Sequence, residues 1–197
     1  GRRRGALALA ARHAGDEAKA CCVPKNPRGP ATGTIDPNTP QVPIQQKVLK
    51  GGSFLCAQAC LPHLLQAPNP HILTLAPPLS LDPKWWAPHT GYTLAKMGMS
   101  FVTLGLAAEF GPQGVAVNAL WPRTLIATEA LNMIPGVSAA NGRTPAIMAD
   151  AAHAVLTRPA QGFHGKFLID DEVLGEAGVT DFSGYAVDPA QPLYPDL

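Results

Sequence analysis

Tyr92 and Lys96 stand four residues apart in Gly91 to Phe110, a stretch whose apolar residues carry helical spacing. One helical turn places positions i and i+4 on the same face, so the phenol and the ammonium are neighbours. A free phenol, with a pKa of about 10, is a poor acid or base at neutral pH; an adjacent ammonium favours phenolate and brings it toward working range. Such a pair can pass a proton to or from an oxygen. Taken alone, Tyr-x-x-x-Lys also describes an ion-bearing surface face.

A second grouping is Cys56, Cys60 and His63, which a helix would set on one face as soft metal ligands. It lacks a fourth ligand, and its neighbours are Leu55, Leu61 and Leu64. Core packing is therefore the expectation for both cysteines, and no metal is expected.

The elements that must position Tyr92 and Lys96 follow from the punctuation around them. Ser53 is a plausible N-cap for a helix over Phe54 to Gln66 that Pro62 would bend, and His71 to Leu75 is a short apolar strand stopped by Pro77-Pro78. Leu79 to Thr90 reads as a loop carrying Trp85 and Trp86. On the helix from Gly91, Leu94, Met97, Phe101, Leu104 and Ala108 form the apolar face, and Gly111-Pro112-Gln113-Gly114 ends it. Val115 to Leu120 is a buried strand, Thr128 to Met133 is helix-like, and Pro145 to Leu156 is a helix with Thr144 as N-cap. Gly165 to Asp170 is a third strand, and the tail from Glu172 is turn-rich. Helices alternating with short apolar strands predict an α/β protein with a parallel sheet.

Composition agrees: hydrophobic residues are 46 % and charged residues 15 %, which excludes a charged disordered chain and a coiled coil. No run of 18 apolar residues occurs, so no membrane span is expected. The net charge of +1 hides an asymmetry, because residues 1–50 hold nine of the 15 Lys and Arg and three of the 14 acidic residues. That head contains no aromatic residue and carries six prolines between residues 23 and 45, which reads as an irregular, solvated segment over 1–47. Nucleic acid is not expected as a partner; a basic arm for an acidic partner is the competing reading. Four cysteines without a spaced framework point to a reducing, cytoplasmic setting, although the Arg- and Ala-rich opening has some character of a transit peptide.

The stretches 71 to 79 (HILTLAPPL), 92 to 96 (YTLAK) and 115 to 124 (VAVNALWPRT) together resemble the short-chain dehydrogenase/reductase family over about residues 48–190. The Trp85-Trp86 segment and GKFLIDD at 165 to 171 are most similar to its hydroxysteroid dehydrogenase-like branch. The resemblance implies a doubly wound, Rossmann-like sheet and hydride transfer between NAD(P)(H) and a carbonyl or alcohol. Tyr92 would move the proton; Lys96 would lower the tyrosine pKa and bind the nicotinamide ribose; Pro122, Ile126 and Thr128 would hold the nicotinamide amide. Ser80, Trp85 and Trp86 would border a small-molecule substrate of apolar or acyl character. Arg123, where many members have glycine, is expected at the surface, with an acidic substrate group as its other possible contact. The helices at 54–66 and 91–110 would build a homo-oligomer.

The chain departs from the family pattern in three places. The strand-end serine should fall near Ala76 or Pro77, which have no hydroxyl, leaving Thr74 and Ser80 as the nearest ones. The helical asparagine should fall near Leu49 and is absent. No Gly-rich phosphate loop occurs in residues 1–50, and too few residues precede Ser53 for the strands that lead into the family's sheet. The expectation is an incomplete sheet with a free edge on residues 48–197, in a truncated oxidoreductase or in an inactive remnant that acts through association.

Overall fold

The computed structural model describes residues 52–87, 90–133 and 136–196. The expected irregular segment 1–47 and Leu49 lie outside them. The described residues form α1 (Ser53–Leu64), β1 (His71–Leu75), α2 (Pro83–Trp86), α3 (Thr90–Phe110), β2 (Ala116–Trp121), α4 (Ala146–Leu156), β3 (Phe167–Ile169) and α5 (Asp170–Glu176), with short 3-10 turns between them.

Among these residues the sheet has three strands in the order β1-β2-β3, all parallel. Each crossover is a helix, as parallel pairing requires. Ile72 pairs with Val117 and both face a cluster of Ala57, Leu61, Leu106 and Ala107 from α1 and α3. One residue on, Leu73 turns with Leu120 to the opposite face, where Ile147, Ala151 and Val155 of α4 and Val173 and Leu174 of α5 cover it. Helices therefore lie on both faces, the doubly wound arrangement. All six residues of β2 are buried, which is why that strand reads as a continuous apolar run rather than an alternation.

One polar residue interrupts that run. Asn118, 1 % exposed, donates from Nδ2 to Phe163 O at 2.8 Å and accepts the Lys166 amide at Oδ1 at 2.9 Å. It ties the loop before β3 to the middle of β2. The stop between α3 and β2 is a Schellman motif: Val115 N donates to Phe110 O at 3.2 Å and Gly114 N to Gly111 O at 2.9 Å, with Gly114 left-handed at φ 87°. Because Val115 is taken up by this stop, β2 begins at Ala116, one residue later than the sequence suggested, and extends to Trp121.

Several other expectations are corrected. Trp85 and Trp86 lie in a short helix rather than a loop, because Asp82 accepts the Lys84 amide and Pro83 opens the turn. Gly52, not Ser53, precedes α1, and Pro145, not Thr144, precedes α4. The third strand is only Phe167–Ile169, since Asp170 already starts α5; its run of three acids suits a helix N-terminus. Cys56 and Cys60 are exposed, and α1 buries Ala57 and Leu61 instead.

The largest correction concerns α3. Of the face expected to be apolar and buried, Met97 alone is buried, whereas Leu94, Phe101 and Leu104 are 50 %, 57 % and 44 % exposed. The buried face is Thr93, Ser100, Thr103, Leu106 and Ala107 with Met97. Its hydroxyls bond backbone: Thr93 Oγ1 donates to Trp85 O, and Ser100 Oγ to Pro77 O at 2.7 Å. Small hydroxylated residues let α3 lie close on the loop after β1, and hydrogen bonds replace apolar contact there.

The tail forms an extended strap. Asn141 Nδ2 donates to Pro192 O at 2.8 Å, Tyr194 N to Asn141 O at 2.9 Å and Leu125 N to Tyr194 O at 3.0 Å. Thr124 and Pro195 pair antiparallel, Asp196 N donates to Arg123 O at 2.9 Å, and Trp121 Nε1 to Asp196 O at 3.0 Å.

Candidate active site

Tyr92 lies in the first turn of α3, and Lys96 one turn on. Lys96 Nζ donates to Leu75 O at 3.4 Å, at the carboxyl end of β1, and stands 5.3 Å above the centre of the Trp121 ring, at the carboxyl end of β2. The strand ends and the start of α3 thus converge on the ammonium. Ligands of doubly wound sheets bind outside the carboxyl ends of the strands. Tyr92 remains 54 % exposed.

The electrostatics differ from the simple picture of a lysine activating a tyrosine. The Tyr92 pKa lies above the ordinary phenol value, first through desolvation and second through the negative charge of Asp196. Desolvation pushes the Lys96 pKa down, and Asp196 opposes that. Asp196 itself is pushed up to about 6, mainly by burial and further by Asp170, against the pull of Lys96. Asp170 is fully buried; its Oδ1 accepts the Arg123 and Asp171 amides, while Oδ2 has no partner. Desolvation raises its pKa.

Pro122 is buried directly after β2. Ile126 accepts the Thr128 amide at 2.8 Å and pairs with Arg143, and Thr128 is exposed. This segment leaves the same strand end that carries Trp121. Ser80 Oγ accepts the Asp82 amide at 3.2 Å, and Ser80 O accepts from Trp86 Nε1 at 3.1 Å, so both groups hold the α2 turn. Ala76 is 1 % exposed and, like Pro77, offers no hydroxyl. Arg123 does not wait for an acidic substrate: its Nε donates to both Asp171 carboxylate oxygens at 2.8 Å, and Glu172 takes its NH2 group. Trp121 and Asp196 are the site residues that local sequence pattern did not reveal.

The donors present fit the ribose side of a nicotinamide dinucleotide. An ammonium offers three N–H bonds, and Lys96 has one long contact, so two remain for sugar hydroxyls. No Gly-rich turn opening a helix occurs among the described residues for the pyrophosphate. A depression of about 700 Å³ lies elsewhere, between α1 and the outer edge of β1, and is lined by Cys56, Cys60, Leu64 and the residues of β1.

A family profile described as enoyl-(acyl carrier protein) reductase matches residues 34–159. The chain belongs to the short-chain dehydrogenase/reductase family. It is 45 % identical over 167 residues to hydroxysteroid dehydrogenase-like protein 2 of Danio rerio, covering 84 % of this chain and 40 % of that protein. A candidate dehydrogenase from Xanthomonas campestris of known structure is 72 % identical with a TM-score of 0.80, over 87 % of this chain and 63 % of that one. A short-chain dehydrogenase from Mycobacterium thermoresistibile is 40 % identical with a TM-score of 0.70, over 84 % and 61 %. The chain thus spans about two fifths of the Danio relative and three fifths of the two structural relatives. As a member of this oxidoreductase family it carries the Rossmann-like layers described above. The family match begins at residue 34, inside the proline-rich stretch where no resemblance was legible.

Proposed function

We propose that the protein is an NAD(P)(H)-dependent oxidoreductase that interconverts a carbonyl and an alcohol, with Tyr92 and Lys96 as its catalytic residues. The observation that carries this reading is the convergence of Lys96 Nζ, Leu75 O and the Trp121 ring at the carboxyl ends of β1 and β2, beside Tyr92. The nicotinamide, when bound, supplies or accepts the hydride. In reduction Tyr92 gives its proton to the substrate oxygen, and in oxidation the phenolate takes it back. Lys96 holds the ribose hydroxyls, and its charge beside Tyr92 favours the phenolate once the exposed side is covered. Pro122, Ile126 and Thr128 position the carboxamide, and the pyrophosphate is left to residues outside the described set. With Ala76 and Pro77 at the strand end, Tyr92 is the hydroxyl placed to polarise the substrate oxygen, unless Ser80 turns from Asp82.

The substrate is a small molecule of apolar or acyl character. Leu79 and Leu81, 41 % and 87 % exposed, precede the α2 turn that carries Trp85 and Trp86, and this exposed apolar segment supports that reading. The exposed Leu94, Phe101 and Leu104 on α3, with Phe54 and Leu55 on α1, favour a second role in homo-oligomer formation, which also serves a chain without turnover. Among the described residues no helix is long and apolar enough to cross a membrane.

Titration of the full chain with NADH and NADPH, followed by nicotinamide fluorescence, tests the reading. Saturation at micromolar concentration that Tyr92→Phe leaves largely intact and Lys96→Ala weakens, with carbonyl turnover lost in Tyr92→Phe, is the expected result. Binding absent up to millimolar cofactor in a folded sample overturns it.

A further inference from the structure

We propose that the strap 192–196 is a wall of the active site and that Asp196 is a positioning residue, the counter-charge of Lys96 beside Tyr92. This rests on the reading of Tyr92 and Lys96 as the reactive pair. The geometry is built through one indole. Lys96 Nζ sits over the Trp121 ring at 5.3 Å, and the N–H of that ring donates to Asp196 O at 3.0 Å. Asp196 N is in turn fixed to Arg123 O, and the amide of Arg123 is fixed to Asp170 Oδ1 at 2.9 Å. The Arg123 peptide therefore fixes the backbone of Asp196 through its carbonyl and the carboxyl of fully buried Asp170 through its amide. Bonds from Asn141 and Leu125 to Pro192 and Tyr194 keep the strap in register up to Asp196.

The charged groups felt by Asp196 come from two elements. Lys96 of α3 attracts its anion, and Asp170 at the start of α5 repels it. Tyr92 of α3 experiences its charge in return. The guanidinium of Arg123 is engaged by Asp171 and Glu172. An ionised Asp196 consequently favours the charged ammonium and disfavours phenolate, while a protonated Asp196 does neither. A carboxyl delivered by the tail thus sets how readily the pair changes charge, from outside the Tyr-x-x-x-Lys motif.

The test is the tyrosinate absorbance of the full chain against pH. Subtracting the spectrum of Tyr92→Phe, and in the variant that of the double substitution, isolates Tyr92 from Tyr185 and Tyr194. In Asp196→Asn the Tyr92 phenolate fraction at pH 9 is expected to rise above that of the wild type, because the repulsion of the phenolate by Asp196 is gone. Asp196→Glu should restore the wild-type fraction, which a merely structural strap contact would not do. Equal fractions in wild type and Asp196→Asn overturn the proposal, and so does failure of Asp196→Glu to restore. Turnover separates the two readings. If Tyr92→Phe keeps its activity, the catalytic assignment fails; if that variant is inactive and the phenolate fractions coincide, the role of Asp196 fails alone.

Discussion

Replacing Asn118 with leucine, a side chain of the same branching, removes two hydrogen bonds from the middle of β2. The Nδ2 bond to Phe163 O and the Oδ1 bond from Lys166 N hold the loop that leads into β3. At about 1 kcal/mol net for each bond, the loss starts near 2 kcal/mol. If water cannot reach the two backbone groups left behind, each adds about 1 kcal/mol or more, since an unpaired buried polar group keeps its desolvation cost. Leucine recovers about 1 kcal/mol by burying carbon in place of an amide. The balance is a destabilisation of about 1 kcal/mol if water reaches the two groups and about 3 kcal/mol if it does not, a large part of the margin of a domain this size. Urea unfolding followed by circular dichroism measures it as a drop in midpoint at unchanged slope. Because Trp121 lies three residues along the same strand, cofactor affinity should fall in parallel. A loss below 1 kcal/mol would refute the reasoning, showing that Asn118 does not pin the β2–β3 junction.

The raised pKa of Asp196 predicts a pH-dependent stability with a definite sign. The folded group titrates near 6 and the unfolded one near 3.8, so the native state binds the proton more tightly and stability falls as pH rises through that window. Asp196→Asn should therefore be more stable than wild type at pH 7.5, by at most about 3 kcal/mol, with the gain reduced at pH 5; urea midpoints at the two pH values decide it. Gly111→Ala places a methyl group inside the His164 ring and should lower the melting temperature by several degrees, with His164→Ala relieving most of the loss. Phe101→Glu, on the exposed stripe of α3, should shift the chain toward monomer in analytical ultracentrifugation without changing its circular dichroism. Arg143, 8 % exposed and 3.3 Å from Asp171, is expected to cost about 1.5–3 kcal/mol in urea unfolding when replaced by alanine, the worth of one hydrogen bond to a charged group, since Asp171 keeps its bonds from Arg123.

Local pattern carried β1, most of β2 and the Tyr92–Lys96 pair, because each is encoded within a few residues: an apolar run cut by prolines, or one helical turn. Orientation was not encoded locally. The apolar residues of α3 gave a correct helix, yet its buried face is chosen by Thr93 bonding to α2 and Ser100 bonding to the loop after β1, contacts that a hydrophobic period does not register. The cysteines of α1 illustrate the same limit: residue type suggested the core, but Ala57 and Leu61 fill it. The strap was illegible for a different reason. Trp121 and Asp196 are 75 residues apart and meet through a backbone carbonyl, which any residue type supplies. The Trp85-Trp86 turn was misread because a helix of four residues has no period to find.

The position of Trp121 makes the site optically self-reporting. Its indole touches both the ammonium of α3 and the backbone of the strap, so arrival of a nicotinamide and departure of Asp196 each change the surroundings of one chromophore. With Trp85 and Trp86 replaced by phenylalanine, the remaining emission comes from that ring, and resonance energy transfer to a reduced nicotinamide nearby would register docking without any substrate. Slow peeling of the strap would appear in the same channel as a separate kinetic phase, letting ligand capture and tail motion be timed against one another in a single stopped-flow trace.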